Sequence, residues 1–481
     1  MMNSKIRGIE TTTQAHEIER NTLVVVISIA IVTFLGILSE TALNIAYALL
    51  IDEFSVSAAV IQWLTTGYLL TLSILIPLSP LFVRQFRTKA LFQTAIAIFT
   101  VGTLFCSFAL NFEMLLLGRI IQAIGTSISL PLMMNIILEQ VPLTQRGRLM
   151  GIVGLVTSFA PALGPTFGGI IIEWINWHWI FISMLPILVV SFISGSKYIT
   201  DIHSSEKISV DYPSVFLSTI AFVGIVYGVS ISADLSWSDS AVLGYIIVGG
   251  LSLAAFAYRQ LRLAKPLIQV RVFTNSMFTI GALIVMISMM SVLAAGFVLP
   301  LYIQKSLGYS SIAAALAMLP GAAVSGMMSP IAGRFYDRHG PKLLLTTGFL
   351  LLSLTLVVFS FVHISFIEVT IIYTVFMLGA SMLAMPAQTN GLNQLPRQYN
   401  ADGAAIMSTL QQVAGAVGTA LASSILTMNS VKYLQLFPNV TTDVTAQSIS
   451  FGTQQNFTFF LILSVIGFVL ALFTQRRTLC P

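Results

Sequence analysis

Residues 35–50, "LGILSETALNIAYALL", form an apolar run with one carboxylate, Glu40, near its middle. An ionised side chain at the centre of a membrane helix costs roughly 2.5 to 3.5 kcal/mol or more, so a carboxylate kept there usually has a function. The run continues an apolar segment that begins at residue 22, and the whole segment is long enough to cross the hydrocarbon core. It therefore predicts a membrane helix with a functional acid inside it.

The composition extends this interpretation to the whole chain. Of 481 residues, 56% are hydrophobic and only 9% are charged, against about 25% charged in an average soluble domain. The net charge of +5 comes from basic residues scattered between apolar segments, so no nucleic-acid partner is expected. Cys106 and Cys480 form neither a disulfide framework nor a metal cluster. No metal-spaced histidine pair, nucleotide loop or Ser/His/Asp set is present, so we expect neither an enzyme nor a bound cofactor or metal.

Apolar stretches of membrane-spanning length recur along the chain. Fourteen are predicted, near residues 22–49, 58–82, 89–109, 112–139, 147–173, 177–196, 212–232, 241–260, 276–303, 310–333, 341–362, 366–388, 402–427 and 456–474. An even number of spans places both termini on the same side of the bilayer.

The basic residues indicate which side that is. With the N-terminus inside, twenty of the 23 lysines and arginines fall in inner segments, as expected of cytoplasmic loops. All five tryptophans fall at or near the outer ends of spans, and Trp177, His178 and Trp179 are predicted to be interfacial anchors. The sequence thus predicts a multi-pass plasma-membrane protein with both termini cytoplasmic.

The two ends of the chain resemble each other. "PLMMNIILEQVP" from Pro131 and "PAQTNGLNQLP" from Pro386 share a Pro, an Asn four residues on and a closing Pro, at an offset of 255 residues. Duplicated halves with a site between them are typical of transporters. The predicted organisation is a tail, a six-helix bundle, an inserted pair of helices with linkers, a second six-helix bundle and a short tail, at 1–21, 22–196, 197–275, 276–474 and 475–481.

Five motifs in order resemble the major facilitator superfamily. They are "SETALNIA" from Ser39, "GRIIQAIG" from Gly118, "APALGPTFGG" from Ala160, "NWHWIFISMLP" from Asn176 and "GRFYDRHGPK" from Gly333. Together they resemble its fourteen-helix drug:proton antiporter family, of the QacA/EmrB type, over about residues 22–474. The resemblance implies an all-α membrane fold of two six-helix bundles plus two additional transmembrane helices. It also implies alternating access, with protons as the coupling ion.

The motifs supply the candidate residues. We predict that Glu40 binds the proton and that Arg119 is its electrostatic partner, since helix rise places both roughly 10 to 15 Å inside the outer ends of their spans. The resemblance assigns an antiporter motif (Pro161, Gly164, Pro165, Gly168, Gly169), a gating loop (Gly333, Asp337, Arg338, Gly340, Lys342) and, with Glu40, the cavity candidates Asn44 and Gln122.

Alternatives remain for these residues. Glu40 could be a polar residue that bonds to a neighbouring helix, and the glycines could serve only close helix packing. The charged residues of the gating loop could simply be solvated. The chain also departs from the family pattern in the first copy of the loop motif, where Arg84 and Gln85 stand in place of Asp and Arg.

The predicted function is a proton-coupled multidrug efflux antiporter that exports amphipathic compounds, expected to be cationic, and acts as a monomer. The alternatives are a symporter or uptake carrier, or a proton-coupled transporter of a specific metabolite or lipid-linked substrate, a flippase. The antiporter-type "GPTFGG" argues against uptake, and without an ATP-binding module any pumping must use an ion gradient.

Overall fold

The computed structural model describes residues 20–140, 160–161, 163–199, 201, 211–233, 235–263, 266–361, 365–396, 399–437 and 442–475, and these residues are helical apart from short turns and connections. Lipid offers backbone amides no hydrogen-bond partner, so a chain of this composition folds into helices that satisfy their own backbone. In chain order the helices are α1 (Arg20–Phe54), α2 (Ala58–Leu78), α3 (Thr88–Ser107), α4 (Phe112–Gln140), α5 (163–174), α6 (Trp179–Tyr198), α7 (Tyr212–Ile231), α8 (Ser240–Arg262), α9 (Ser276–Ser306), α10 (Ser311–His339), α11 (Pro341–Phe361), α12 (Phe366–Asn393), α13 (Asn400–Leu436) and α14 (Thr442–Leu472).

Side chains near the ends of several helices fix where these helices begin. Ser57, Asn275 and Ser310 accept hydrogen bonds from backbone amides in the first turns of α2, α9 and α10. Ser365 and Glu368 form a reciprocal capping box at the start of α12. Because the first amides of a helix have no partner within the helix, these contacts set the starting points.

Within the described residues, twelve helices are long and apolar enough to cross a membrane. The sequence predicted fourteen spans. The two predicted spans missing from the twelve are 147–173, which lies partly outside the described residues, and 402–427, which forms part of the long helix α13. The count of fourteen therefore stays a prediction.

The helices pack as two groups with contacts between them. In the first half, α1 to α6, α4 packs against α1, α2 and α3, and α6 packs against α1 and α3. In the second half, α9 to α14, α9 packs on α12, α13 and α14, and α11 packs on α12 and α14. The halves meet where α2 packs on α13 and α1 packs on α9.

Among the hydrogen bonds that join the two halves in the described residues, two involve the segment that leads from α9 towards α10. Gln304 donates to the carbonyl of Ile45 (3.1 Å), and Lys305 forms an ion pair with Asp52. Both come from the wider π-type helical turn Tyr302–Ser306, which follows Pro300. The molecule is therefore closed at the end where this segment lies.

The inserted helices α7 and α8 form a hairpin on the side of the molecule. Arg259 of α8 makes two hydrogen bonds to Asp211, at 2.9 Å and 2.6 Å, just before the start of α7. Gln260 donates to Ser214 (2.6 Å) and accepts from the amide of Leu267 in the following linker (2.7 Å). These contacts hold the open end of the hairpin together.

The connection between α10 and α11 is shorter than the sequence suggested. The "GRFYDRHGPK" segment was predicted to be a loop after residue 333, but α10 continues to His339 and α11 begins at Pro341. Gly340, with φ of 80°, makes the turn alone. A side chain is disfavoured at this φ, so glycine is the residue that permits two helices to meet there.

Trp177 is not the interfacial anchor that the sequence predicted. Its side chain is 1% exposed, and its indole donates to Glu53 Oε2 (2.8 Å). His178 stacks on the indole, with ring centroids 3.7 Å apart. Trp177 therefore fastens the α5–α6 connection to the end of α1, whereas Trp179, at 42% exposure, remains on the surface.

The ion pair of the hairpin provides a test that depends on pH. Arg259 lowers the pKa of Asp211 to about 2. The pair therefore stabilises the fold fully above the ordinary carboxyl pKa, and this contribution disappears as the pH falls from about 4 to about 2. We expect Asp211→Asn to lower the melting temperature of the purified protein modestly at neutral pH, and the difference from the native chain to shrink over that acid range.

Asp239→Asn is the matched control, because Asp239 caps the other end of the hairpin by accepting from the amide of Ala241 (2.8 Å). An equal loss of melting temperature in both variants would show that the pairing with Arg259 is not what stabilises the hairpin.

Candidate functional site

Glu40 lies inside the first half of the molecule, in the middle of α1. Its side chain is 8% exposed, and it makes no hydrogen bond to any residue that the structure describes. Glu40 and Arg119 are the two charged side chains that are buried within the described part of the chain. A buried charge needs a partner or a proton, so this carboxyl is placed where its ionisation state matters most.

Arg119 of α4 is fully buried beside Glu40 and is held by polar contacts. Nη1 donates to Ser39 Oγ (3.0 Å) and to Gln122 Oε1 (2.9 Å), and Nε donates to the carbonyl of Leu64 (3.4 Å). The guanidinium lies over the ring of Tyr68, 4.2 Å from its centroid. These contacts fix the plane of the guanidinium, which a lysine ammonium could not reproduce.

Glu40 and Arg119, predicted to be electrostatic partners, form no direct salt bridge in the part of the chain that the structure describes. The two groups are within electrostatic range of each other, but the guanidinium bonds instead to Ser39, the neighbour of Glu40 in the chain. Arg119 Nη2 is buried without a hydrogen-bond partner. One donor of the guanidinium is therefore free to bind an acceptor.

Gln122, which the sequence analysis assigned as a cavity candidate, is enclosed by protein in this structure. It is fully buried, accepts from Arg119, and donates through Nε2 to Thr103 Oγ1 of α3 (2.8 Å). Its amide is used completely in orienting the arginine. Gln122 therefore supports Arg119 in this structure, and a contact of Gln122 with substrate stays a prediction.

Asn44 is one helical turn from Glu40 and faces the second half. Its Oδ1 accepts from Thr65 Oγ1 (3.1 Å), and the same threonine bonds to the hydroxyl of Tyr47. A Cβ placed on Gly296 of α9 would lie 3.7 Å from Asn44 Nδ2. Asn44 is thus at the boundary between the halves, where a substrate cavity is expected to run.

The antiporter-motif glycines pack α5 against the part of α1 that carries Glu40. A Cβ at Gly164 would overlap the side chain of Thr41, and one at Gly168 would come 2.5 Å from the backbone oxygen of Ala42. Gly169 faces Ala315 of α10 in the other half. These glycines therefore permit close helix packing, and whether they serve only packing stays open. The part that Pro161 and Pro165 play in occlusion is untested and stays a prediction.

The gating motif lies away from this site. Gly333 has open space around its Cα, and Arg338 and Lys342 are exposed. The side chain of Asp337 lies outside the described set, as does that of Arg84 in the first copy of the motif. Of the predicted site residues, the structure brings together Glu40, Asn44, Arg119, Gln122 and the glycines of α5, and leaves the gating motif apart.

Three supporting residues were missed from the sequence: Ser39, Tyr68 and Thr103. Ser39 directly precedes Glu40, so its position was visible, but a serine in an apolar helix ordinarily bonds to its own backbone. Ser39 does this as well, donating to the carbonyl of Gly36 (2.9 Å). Its second contact, with Arg119, depends on how α1 and α4 pack, which no local pattern specifies.

Comparison with known proteins identifies the family. The family model for the Major Facilitator Superfamily matches residues 29–419. The chain belongs to the major facilitator superfamily. As a member it is a multi-pass membrane transporter with an all-helical fold, as the motifs predicted.

Curated relatives extend over nearly the whole chain. The lincomycin resistance protein LmrB of Bacillus subtilis (strain 168) is 43% identical over 473 residues, covering 97% of this chain and 98% of its own length. The protein of the same name from Listeria monocytogenes is 42% identical, with 94% and 96% coverage. Among solved structures, an inward-facing bacterial homologue of the human lysosomal transporter Spinster superposes with a TM-score of 0.64 at 14% identity, covering 94% and 97%. That last likeness supports the fold alone.

The contacts of Arg119 predict that no other cation replaces it. We expect Arg119→Lys to keep the charge but lose the bonds to Ser39, Gln122 and Leu64 that need the planar guanidinium. Export should fall to near background in Arg119→Lys and in Arg119→Ala at equal protein levels. Gln122→Glu, which keeps an acceptor for Arg119 and adds a competing charge, should be impaired but not silent. Normal export by Arg119→Ala would contradict the role assigned to this network.

The packing of α5 predicts a strong effect from one methyl group. Gly168→Ala would place a Cβ against the backbone of α1, which cannot move as a side chain can, and overpacking typically costs about 1 to 3 kcal/mol. We expect loss of export and a lower melting temperature. Gly326→Ala in α10 is the control, because a Cβ there meets nothing within 4 Å; equal effects of the two changes would rule out the packing explanation.

Proposed function

We propose that this protein is a proton-coupled multidrug efflux antiporter that exports amphipathic, mainly cationic compounds by alternating access. The observation that carries this proposal is the buried carboxyl of Glu40, beside Arg119 and at the level where α1 meets α5. The similarity to lincomycin resistance proteins over almost the whole chain supports the export of drugs. It acts as a monomer, without nucleic acid or resident cofactor.

In this proposal the chain crosses the membrane fourteen times, with the spans of 147–173 and 402–427 added to the twelve candidates. Residues 22–196 and 276–474 form two six-helix bundles, and α7 with α8 is inserted between them at 197–275. The excess of basic residues in the segments opposite the α1–α2 turn supports placing both termini in the cytoplasm. The closed end described above then faces outward, in the plasma membrane.

The exchange cycle follows from the position of one carboxyl. With the cavity open to the cytoplasm, ionised Glu40 attracts a cation into an otherwise apolar space, while apolar and aromatic contacts supply most of the affinity. With the cavity open outward, protonation of Glu40 removes the attraction and the drug leaves. Reclosing carries the proton inward. The unused Nη2 donor of Arg119 is available to the carboxylate once drug and proton have both left.

Because proton and substrate compete for one group, drug binding should displace a proton. We expect purified native protein in detergent to release protons when a cationic substrate is added, and Glu40→Gln to release none. Glu40→Asp should retain partial activity, since it keeps the charge on a shorter arm. Equal release from the native chain and Glu40→Gln would place the proton site elsewhere.

The direction of transport is measured in the same strains. Cells that express the native chain should accumulate less of a fluorescent cation, and tolerate more lincomycin, than cells that express Glu40→Gln. An uncoupler should abolish the difference. Greater accumulation in the native strain would instead indicate an uptake carrier.

A further inference from the structure

Three helices meet in a polar junction at the closed end of the molecule. The junction is formed by α2, α7 and α13, and its residues are Ala58, Gln62, Thr66, Ser230, Ser232, Thr419, Ser423 and Ser424. None of these residues makes a described hydrogen bond to Glu40 or Arg119, so the site described above does not account for the junction. Each pair of helices in the junction is joined by its own hydrogen bond, as follows.

The contact between α2 and α7 is made by a buried amide. Gln62 is 1% exposed and donates through Nε2 to Ser230 Oγ at 2.6 Å. Its Oε1 accepts from Thr66, one turn further along α2. Beside this bond, the rings of Trp63 and Tyr227 lie 5.8 Å apart. In an apolar environment, breaking either hydrogen bond of this buried amide leaves a polar group unpaired, which destabilises the folded state by about 1 to 3 kcal/mol.

The other two sides of the junction involve α13. The hydroxyls of Thr66 and Thr419 share a hydrogen bond of 2.8 Å, and Ser423 donates to the carbonyl of Ala58 at 3.1 Å, so α2 and α13 are bonded directly. The hydroxyls of Ser232 and Ser424 share a bond of 2.8 Å, which joins α7 to α13. Ser230, Gln62, Thr66 and Thr419 thus form one continuous chain of hydrogen bonds across three helices.

The packing around the junction is unequal. Phe222 and Val226 of α7 lie in one apolar cluster with Val413 and Ala416 of α13 and with residues of α2. Over its length, however, α7 packs more extensively on α13 than on α2. When α2 and α13 separate, α7 can stay with only one of them, and the larger contact is with α13.

We propose that α7 acts as a gate helix together with α2 and α13, and that α7 moves with the second half of the molecule when the closed end opens. Opening of the closed end breaks the bonds of α2 to Ser230, Thr419 and Ser423, while Ser232 and Ser424 stay together. The hairpin contacts of Asp211 with Arg259 carry α8 along with α7. The inserted pair is then part of the closure between the halves, rather than a passive addition at the edge. This inference rests on the alternating access of the proposed function.

Reversible crosslinking in the full-length chain tests which contact must open. Gln62→Cys/Ser230→Cys joins α2 to α7, and Ser232→Cys/Ser424→Cys, the matched control, joins α7 to α13. Both are treated in Cys106→Ala/Cys480→Ser background cells with 1,2-ethanediyl bis-methanethiosulfonate and released with dithiothreitol. We expect the α2–α7 link to abolish efflux of a fluorescent cation until it is reduced, and the α7–α13 link to leave most of the efflux.

Every pattern of these results bears on the proposal. Efflux that survives the α2–α7 link would overturn the proposal, because α7 would then not need to separate from α2. Efflux that is abolished by each of the two links would also overturn it, because α7 would then have to separate from both helices. Loss of efflux only with the α7–α13 link would place α7 with the first half. The Cys-free background under the same reagent reports on the proposed function itself, so failure to export any tested compound is distinguished from failure of the gate.

A labelling measurement that needs no substrate provides a second test of the proposal. If either cysteine pair fails to crosslink, this measurement tests the proposal by itself. Gly296→Cys places a thiol on the face of α9 that is turned to Asn44 of α1. We expect a membrane-impermeant maleimide added outside the cell to reach this thiol only when the closed end opens. Ser230→Ala removes the α2–α7 bond and should raise the labelling rate about fivefold, the effect of one net hydrogen bond. Ser232→Ala should leave the rate unchanged. Equal rates in the two variants would overturn the proposal.

Discussion

The cost of removing charge and backbone polarity from water governs this molecule. A chain with 9% charged residues has no soluble alternative to helices in lipid, and within the described helices just two charged side chains are buried. Arg119 is kept there by three directed hydrogen bonds and an aromatic face. Glu40 has no such bonds. The buried site therefore contrasts a cation held by directed bonds with an acid that no hydrogen bond of the described residues holds.

The neighbouring helix α5 packs closely against the part of α1 that carries Glu40. Gly164 and Gly168 bring the backbone of α5 into contact with the residues that follow Glu40, so the acid cannot be moved without moving α5. The next residue, Gly169, contacts α10 of the other half. These glycines of α5 therefore connect the backbone around Glu40 to the boundary between the halves through close contacts, and backbone contacts transmit displacement more rigidly than flexible side chains do.

The sequence predicted those features that follow from composition and spacing. Segment lengths gave the helices, and helix rise placed Glu40 and Arg119 at similar depth before any contact was known. The same reasoning failed where the answer depends on packing. The sequence around Gln122 is the same whether its side chain faces a cavity or bonds to Thr103. In the same way, a tryptophan at position 177 is compatible with a place at the membrane interface and with a buried bond to Glu53. The length of α10 was underestimated because the charged residues before Gly340 resemble a loop, although a helix that leaves the membrane can carry them in water.

The two halves share a helical architecture but differ in the charges that they bury. At the approximate repeat offset of 254 to 255 residues, Glu40 corresponds to Ala294 or Ala295 and Arg119 corresponds to Tyr373, and these second-half residues are uncharged and buried. Within the described residues, the first half alone thus carries the buried charges. Substitutions at those levels of α9 and α12 can therefore change the shape and apolar contacts of the second half without altering the charges buried in the first half.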